Sequence, residues 1–179
     1  LFMPDQVRYI PEQLIEVLSF FTTLTNILVA ICFTSAYFLG PAGGSFFSRP
    51  PTLAATAMYM FMVGSIYYIL IDPFWDPQGV EHLAVLLLHL VNPFFFILYW
   101  LLFVSKRELR ISHAFWWLVY PLLYFIYILV RGILTRNYTY SFVDVRALGI
   151  GRVLLTNGLI LALFFLLSVL MSRLTKLRR

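Results

Sequence analysis

Two short polar segments interrupt the apolar sequence of this chain, and they carry the side chains of a nucleophile and a base. Residues 21–26 read Phe-Thr-Thr-Leu-Thr-Asn, and residues 89–93 read His-Leu-Val-Asn-Pro. A histidine beside a threonine hydroxyl can take its proton as a general base and then return it to a leaving group. If the two segments meet in the fold, they predict acyl transfer with a threonine of the first segment as nucleophile and His89 as base.

Acyl transfer also needs hydrogen-bond donors for the negative charge that develops on the carbonyl oxygen, and an asparagine amide can supply them. Asn26, Asn92 and Asn157 are the candidates, with Thr25 as a further supporting residue. A structural alternative stands beside this hypothesis, because threonines in membrane helices also bond to a neighbouring helix or to their own backbone. Pro93 would likewise kink its helix and leave a backbone carbonyl in need of a partner.

The composition is that of a membrane protein. Of the 179 residues, 61% are hydrophobic and 12% are charged, whereas a soluble domain is about half apolar and a quarter charged. The net charge of +5 does not indicate a nucleic-acid partner, because the basic residues lie between apolar runs rather than on an amphipathic surface. Cys32 is the only cysteine, which excludes a disulfide framework and a thiolate metal site. We therefore predict a single transmembrane domain over residues 1–179.

Five apolar runs are long enough to cross a bilayer, which takes about 20 residues of helix. We name them helix A (17–39), helix B (53–71), helix C (83–104), helix D (114–130) and helix E (153–171). Segments rich in glycine, proline or charge separate them. The predicted fold class is an all-α, polytopic membrane helical bundle.

The distribution of basic residues predicts the orientation, because cytoplasmic segments hold the larger share of them. With the C-terminus inside, eight basic residues lie inside and five lie outside. The inner set is Arg49, Lys106, Arg107, Arg110, Arg173, Lys176, Arg178 and Arg179, and the outer set is Arg8, Arg131, Arg136, Arg146 and Arg152. We therefore expect a cytoplasmic C-terminus. Because the chain starts with Leu1 rather than methionine, we also expect an earlier start, with a further helix that makes six spans.

The polar segments lie at matching depths in this topology. Helices A and C both begin on the outer side, and Thr23 and His89 each lie seven positions beyond the expected boundary at Glu16 and His82. At 1.5 Å per residue, both lie roughly 10 Å deep. Asn157 lies near the outer end of helix E, so the sequence predicts a polar pocket among helices A, C and E.

Cofactor and transport chemistry find little support in the sequence. His82 and His89 lie on one face of helix C, two turns apart, whereas axial haem ligation needs histidines that oppose each other at one depth. The sequence also lacks paired intramembrane carboxylates and a pair of broken helices, which mark many transporters. We therefore predict no cofactor and no metal ion.

Several motifs, in their order along the chain, resemble a family of six-helix membrane proteins found in bacteria. The resemblance covers nearly the whole chain from Phe20 onward. It rests on residues 21–26; on His89, Pro93, residues 100–103 and Lys106; on residues 120–122 and Tyr124; on residues 131–132; and on residues 138–144 with Gly149. These bacterial proteins are similar to the eukaryotic androgen-induced-gene family, which includes the androgen-dependent regulator of tissue-factor-pathway inhibitor.

The resemblance implies an intramembrane hydrolase that uses a threonine and a histidine. The substrates that it implies are fatty acid esters of hydroxy fatty acids. By motif, the threonine falls within residues 22–25, where spacing to the next polar residue favours Thr23, with Thr22 next, and the histidine falls on His89. The resemblance further implies six helices and a bacterial inner membrane.

A second function remains open from the sequence. It is a non-catalytic membrane subunit or a lipid-binding scaffold, whose polar residues only hold helices together. Both functions imply contact with membrane lipids, and both leave open a homo-oligomer or a larger membrane complex. Geometry separates them, because the hydrolase requires a threonine within hydrogen-bond reach of His89, beside a cavity that can admit lipid.

Overall fold

A computed structural model of the protein describes residues 10–39, 45–72 and 76–174. All regular structure in these stretches is helical, and none of it is strand. The helices are α1 (Ile10–Leu18), α2 (Phe21–Leu39), α3 (Pro50–Ile71), α4 (Val80–Phe103), α5 (His113–Thr135) and α6 (Ile150–Leu174). Short helical turns at Phe46–Ser48, Ser141–Val143 and Val145–Leu148 lie in the connections.

The predicted all-α bundle of five long apolar helices is confirmed. Helices α2 to α6 are each long enough and apolar enough to cross a membrane. Many of their large apolar side chains face outward, and Phe103 and Leu134 are 75% and 78% exposed. Such an outward apolar surface suits lipid rather than water, so the fold is that of a membrane protein.

Helix α3 is the centre of the bundle. Helices α2, α4 and α6 all pack against it, and 56% of its most apolar stretch is buried, against 17–22% for the other four. Small side chains such as Ala54 and Ala57 let neighbouring helices approach closely. Met58 and Met60 are fully buried, and their flexible thioethers fill the irregular gaps that remain.

The helix bounds differ from the predicted ones in ways that matter for the site. Helix A was predicted as one helix from residue 17. In the structure the helix is interrupted at Ser19 and Phe20, so that α1 and α2 are separate. Helix B begins three residues early, since Pro50 is tolerated in a first helical turn. Helix D extends to Thr135. Parts of the predicted connecting segments, residues 40–44 and 73–75, lie outside the described residues.

Two helices widen into π turns, which the sequence analysis did not predict. The last turn of α3, Tyr67–Ile71, is a π-helix, and so is Leu87–Val91 in the middle of α4. The two π turns face each other, because the rings of Tyr67 and His89 stack with centroids 4.0 Å apart. A π turn inserted in an α-helix frequently marks a functional site.

Candidate active site

The two polar segments meet at a threonine and a histidine that are 67 positions apart in sequence. The Oγ1 atom of Thr22, in the first turn of α2, lies 3.2 Å from Nε2 of His89 on α4. Thr23, which the motif spacing favoured, does not line the cavity that Thr22 and His89 share. Successive helical residues point about 100° apart, so the two neighbours face different directions. The geometry therefore favours Thr22 over Thr23 as the nucleophile.

Hydrogen bonding gives His89 the tautomer that a general base needs. Its Nδ1 atom lies 3.1 Å from the carbonyl oxygen of Val85, one turn earlier in α4. Because a carbonyl oxygen only accepts, Nδ1 carries the hydrogen, and Nε2 of the neutral ring presents its lone pair to Thr22. The hydroxyl of Thr22 then donates to Nε2. A backbone carbonyl thus orients the imidazole, as a carboxylate does in a serine protease.

Close helix packing fixes the backbone that carries His89. A Cβ atom built on Gly64 of α3 would lie 2.8 Å from the carbonyl oxygen of His89, so α3 touches α4 where only glycine fits. Pro93 has no N–H and leaves a carbonyl of the preceding turn without its helical partner. In the π register that carbonyl belongs to Leu88, and it accepts a hydrogen bond of 3.4 Å from Nδ2 of Asn26.

Asn26 and Asn92 join α2 to α4 beside the site. Nδ2 of Asn26 also donates to the carbonyl oxygen of Thr22 at 2.9 Å, and Oδ1 of Asn26 accepts from Nδ2 of Asn92 at 2.9 Å. Neither asparagine lines the cavity. Both therefore join α2 to α4 rather than pointing a donor into the cavity.

The helix is interrupted at Ser19 and Phe20, shortly before Thr22, and this interruption shapes the start of α2. The backbone hydrogen bonds of α2 begin with the amide of Leu24, which donates to the carbonyl of Phe20 at 3.1 Å. The carbonyl of Ser19 instead accepts a 2.8 Å hydrogen bond from the hydroxyl of Tyr124. Among the described residues, the amides of Thr22 and Thr23 have no backbone acceptor, so they stand free at the positive end of the helix.

Thr22 and His89 open onto a narrow cavity of about 60 Å³. Aromatic and aliphatic side chains form most of its wall, including Phe21, Val63, Ile66, Phe125, Ile128 and Phe164. Asn157 of α6 also lines it, but its Nδ2 donates to the carbonyls of Val153 (2.8 Å) and Phe142 (3.5 Å). At roughly 10–15 Å³ per water, the cavity has room for about four to six waters or for part of one slender alkyl chain.

Thr25 takes no part in this arrangement. It is fully buried, and its Oγ1 lies 3.2 Å from the hydroxyl of Tyr120 on α5. This contact joins α2 to α5 through a polar pair, as threonines commonly do between membrane helices. The structural alternative therefore describes Thr25 well.

Tyr140, in the connection between α5 and α6, is a site residue that sequence reasoning placed only loosely. In the sequence analysis, residues 138–144 were only one of the motifs of the family resemblance. Tyr140 lines the cavity, and its hydroxyl accepts a 3.2 Å hydrogen bond from the amide of Phe21. The same hydroxyl also hydrogen-bonds with the side chains of Thr22 and Tyr124. Burial raises the pKa of Tyr140, so the phenol stays protonated.

The sequence analysis did not identify Tyr67 and Gly64 as site residues, because their contacts with His89 form only in the folded bundle.

The described residues contain no group of three or more His, Cys, Asp or Glu side chains that could hold a metal ion. The polar groups at the centre of the site are instead a hydroxyl, an imidazole and a phenol. This set suits proton transfer and nucleophilic attack on a carbonyl.

Comparison with protein-family models, with curated proteins and with solved structures finds no match for this chain. The family resemblance is therefore a prediction that these comparisons leave untested. The case for function rests on the geometry of the site.

Proposed function

We propose that the protein is an integral membrane hydrolase of lipid esters, with Thr22 as nucleophile and His89 as general base. One observation carries the proposal: Thr22 Oγ1 lies 3.2 Å from His89 Nε2, while His89 Nδ1 is held by the carbonyl of Val85. In this tautomer Nε2 can accept the proton that Thr22 loses as its oxygen attacks a carbonyl carbon. A free cavity beside the pair gives the acyl group a place to bind.

The first half of the reaction forms an acyl-enzyme. Thr22 Oγ1 attacks the ester carbonyl carbon as its proton passes to Nε2 of His89, and the carbonyl oxygen becomes an oxyanion. When the oxyanion collapses, the bond to the alcohol oxygen breaks, and His89 gives its proton to that oxygen. The products are a free alcohol and an ester between the acyl group and Thr22.

The second half returns the enzyme to its starting state. His89 takes a proton from a water molecule, whose oxygen attacks the acyl carbon. Collapse of this second oxyanion breaks the bond to Thr22 Oγ1, which recovers its proton from His89. The net change consumes one water and one ester and releases one alcohol and one carboxylic acid.

The apolar wall of the cavity supports a substrate with a fatty acyl chain. The resemblance narrows this proposal to fatty acid esters of hydroxy fatty acids. The excess of basic residues supports a C-terminus in the cytoplasm, in a bacterial inner membrane. In that orientation the site lies in the outer half of the bilayer.

Activity-based labelling of the purified full-length protein in proteoliposomes tests the proposal. The probe is a fluorophosphonate, which bonds covalently to an activated hydroxyl. We expect labelling of the wild type and of Thr22→Ser, no labelling of Thr22→Ala, and a loss on the order of 100-fold in His89→Ala. Thr23→Ala is the matched control and keeps labelling, because Thr23 does not line the cavity.

Three results would count against the proposal in different ways. A folded wild type that takes no label, and hydrolyses no long-chain fluorogenic ester, would leave the non-catalytic subunit or scaffold as the better account. Labelling lost in Thr23→Ala and kept in Thr22→Ala would move the nucleophile by one residue. Full labelling of His89→Ala would remove the histidine from the mechanism.

A further inference from the structure

The proposed reaction creates a positive charge on His89. The ring becomes an imidazolium when it takes the proton of Thr22, and again when it takes a proton from water. Its hydrogen-bond partners among the described residues are the hydroxyl of Thr22 and the backbone carbonyl of Val85. A serine protease places a carboxylate beside its imidazolium, whereas a carbonyl carries only part of a negative charge. An ionised side chain among apolar groups is costly, so the charge on His89 needs a further partner.

The ring of Tyr67 covers one face of this imidazole. The two ring centroids are 4.0 Å apart, and the ring planes are inclined by 29°. The face of an aromatic ring is the negative part of its quadrupole, and it attracts a cation that lies within about 6 Å of its centroid. His89 therefore lies where the ring of Tyr67 would attract its charged form. Such attraction is strongest where water is excluded.

The packing of α3 against α4 holds the ring of Tyr67 in this place. The side chain is only 2% exposed. Gly64 lies three positions earlier, on the same face of α3, and a Cβ atom there would lie 2.8 Å from the carbonyl oxygen of His89. The glycine thus lets the two helices approach closely enough for the rings to stack. Both rings belong to π turns, Tyr67–Ile71 and Leu87–Val91.

The charge on His89 decides whether this stack affects the rate. Neutral aromatic rings also attract each other, but that attraction would stabilise the resting state and the transition state alike. Only an interaction that is stronger in the transition state accelerates the chemical step. Attraction between a ring face and a cation meets this condition, because the charge on His89 appears only as the proton of Thr22 is transferred.

We propose that the ring of Tyr67 stabilises the imidazolium form of His89 by a cation–π interaction, in the role that a carboxylate has in serine proteases. The inference rests on the proposed function, since it assigns a partner to the charge that proton transfer from Thr22 creates. Tyr67 acts through His89 and is therefore a positioning residue. It holds the imidazole by one face, favours its charged form in both halves of the reaction, and exchanges no proton itself.

Steady-state hydrolysis of a long-chain fluorogenic ester by the full-length protein tests the proposal. Tyr67→Phe is the reference variant, because it keeps the aromatic face. Phenylalanine analogues with one, two and three ring fluorines then replace Tyr67 in turn, since each fluorine withdraws electrons from the ring face with little change in shape. We expect kcat to fall at each step, by about 30-fold in all, which corresponds to about 2 kcal/mol of lost cation–π attraction.

Phe96 provides the matched control. It lies on the same helix as His89, is fully buried, and does not line the cavity. Its ring packs on Phe33, with centroids 5.1 Å apart. The same fluorinated series at Phe96 should leave kcat at the wild-type value. A merely structural role for Tyr67 would make the two series alike, because the fluorinated rings differ in charge distribution rather than in shape.

A second series covers the case in which Tyr67→Phe folds poorly. Fluorinated tyrosines at this position keep the hydroxyl, and their activity is measured at a pH at which the phenol stays protonated. Thermal unfolding in one detergent identifies the variants that are folded, and kcat is compared among those. The expected result is again a stepwise fall in kcat as fluorines are added.

The outcomes separate this inference from the proposed function. A wild type without esterase activity would overturn both. An active wild type and an inactive Thr22→Ala, together with a constant kcat across the fluorinated Tyr67 series, would overturn only the role of Tyr67. An equal fall of kcat in the Phe96 series would do the same, because the effect would then not depend on contact with His89.

Discussion

Gly64 offers a direct test of whether helix packing sets the position of His89, the proposed catalytic base. It lies in α3, facing the carbonyl oxygen of His89 in the π turn of α4. A Cβ atom at this position would lie 2.8 Å from that oxygen, whereas ordinary contact begins at 3.4 Å. Gly64→Ala must therefore push α3 and α4 apart by about 0.6 Å at this point, because a backbone atom cannot turn away as a side chain can.

The displacement predicts two separate effects. Overpacking of this kind costs about 1–3 kcal/mol of stability. The same shift also acts on the 3.2 Å contact between His89 and Thr22. Since a misplacement of 1 Å can cost about 100-fold in rate, a shift of about 0.6 Å predicts a loss of roughly 10-fold in fluorophosphonate labelling.

Gly158→Ala is the matched control for this experiment. Gly158 lies in α6, and a Cβ atom there would meet nothing within 4 Å, so alanine is expected to stabilise the helix by about 0.5–1 kcal/mol. Thermal unfolding in one detergent and the labelling rate are measured for both variants. If Gly64→Ala unfolds like Gly158→Ala and takes label at the wild-type rate, close packing does not position His89, and our account of the π turn is wrong.

Two further predictions concern the polar residues around the pair. Thr25→Val removes the bond to Tyr120 and should cost about 1 kcal/mol of stability while labelling persists; a loss of labelling in a folded Thr25→Val would show that Thr25 does more than join helices. Asn26→Ala, Asn92→Ala and the double variant form a thermodynamic cycle, in which their 2.9 Å contact predicts a coupling of about 0.6–1.7 kcal/mol. Strictly additive losses would mean that this contact does not bind α2 to α4.

The helices and the matching depth of the two polar segments could be predicted from sequence. Apolar runs of about 20 residues fix the number of helices, and the rise of 1.5 Å per residue gives Thr22 and His89 similar depths. Depth does not give rotation about the helix axis, however. A difference of one residue turns a side chain by about 100°, so motif spacing alone did not choose Thr22 over Thr23.

The features that complete the site have weaker sequence signals. The helix interruption before Thr22 occurs in a continuous apolar run of the sequence. The only sequence signal for the π turn around His89 is Pro93. Helix α3 carries no candidate site residue, yet it is central because its apolar residues lie on all sides, a pattern of buried helices. Tyr140 lies in a loop, where an aromatic residue near a membrane boundary usually reads as an anchor at the interface.

The local irregularities argue for a catalytic site over a scaffold, because they gather around one pair of atoms. A scaffold needs its polar groups satisfied, and Thr25 and Asn26 show that this chain can do so. Around Thr22 and His89 the helices depart from regular geometry: α2 begins only after the interruption at Ser19 and Phe20, and α4 widens into a π turn. Each departure costs stability, since backbone groups in hydrocarbon need partners. Natural sequences keep such local conflicts chiefly where function requires them, and here they surround the proposed nucleophile, Thr22, and its proposed base, His89.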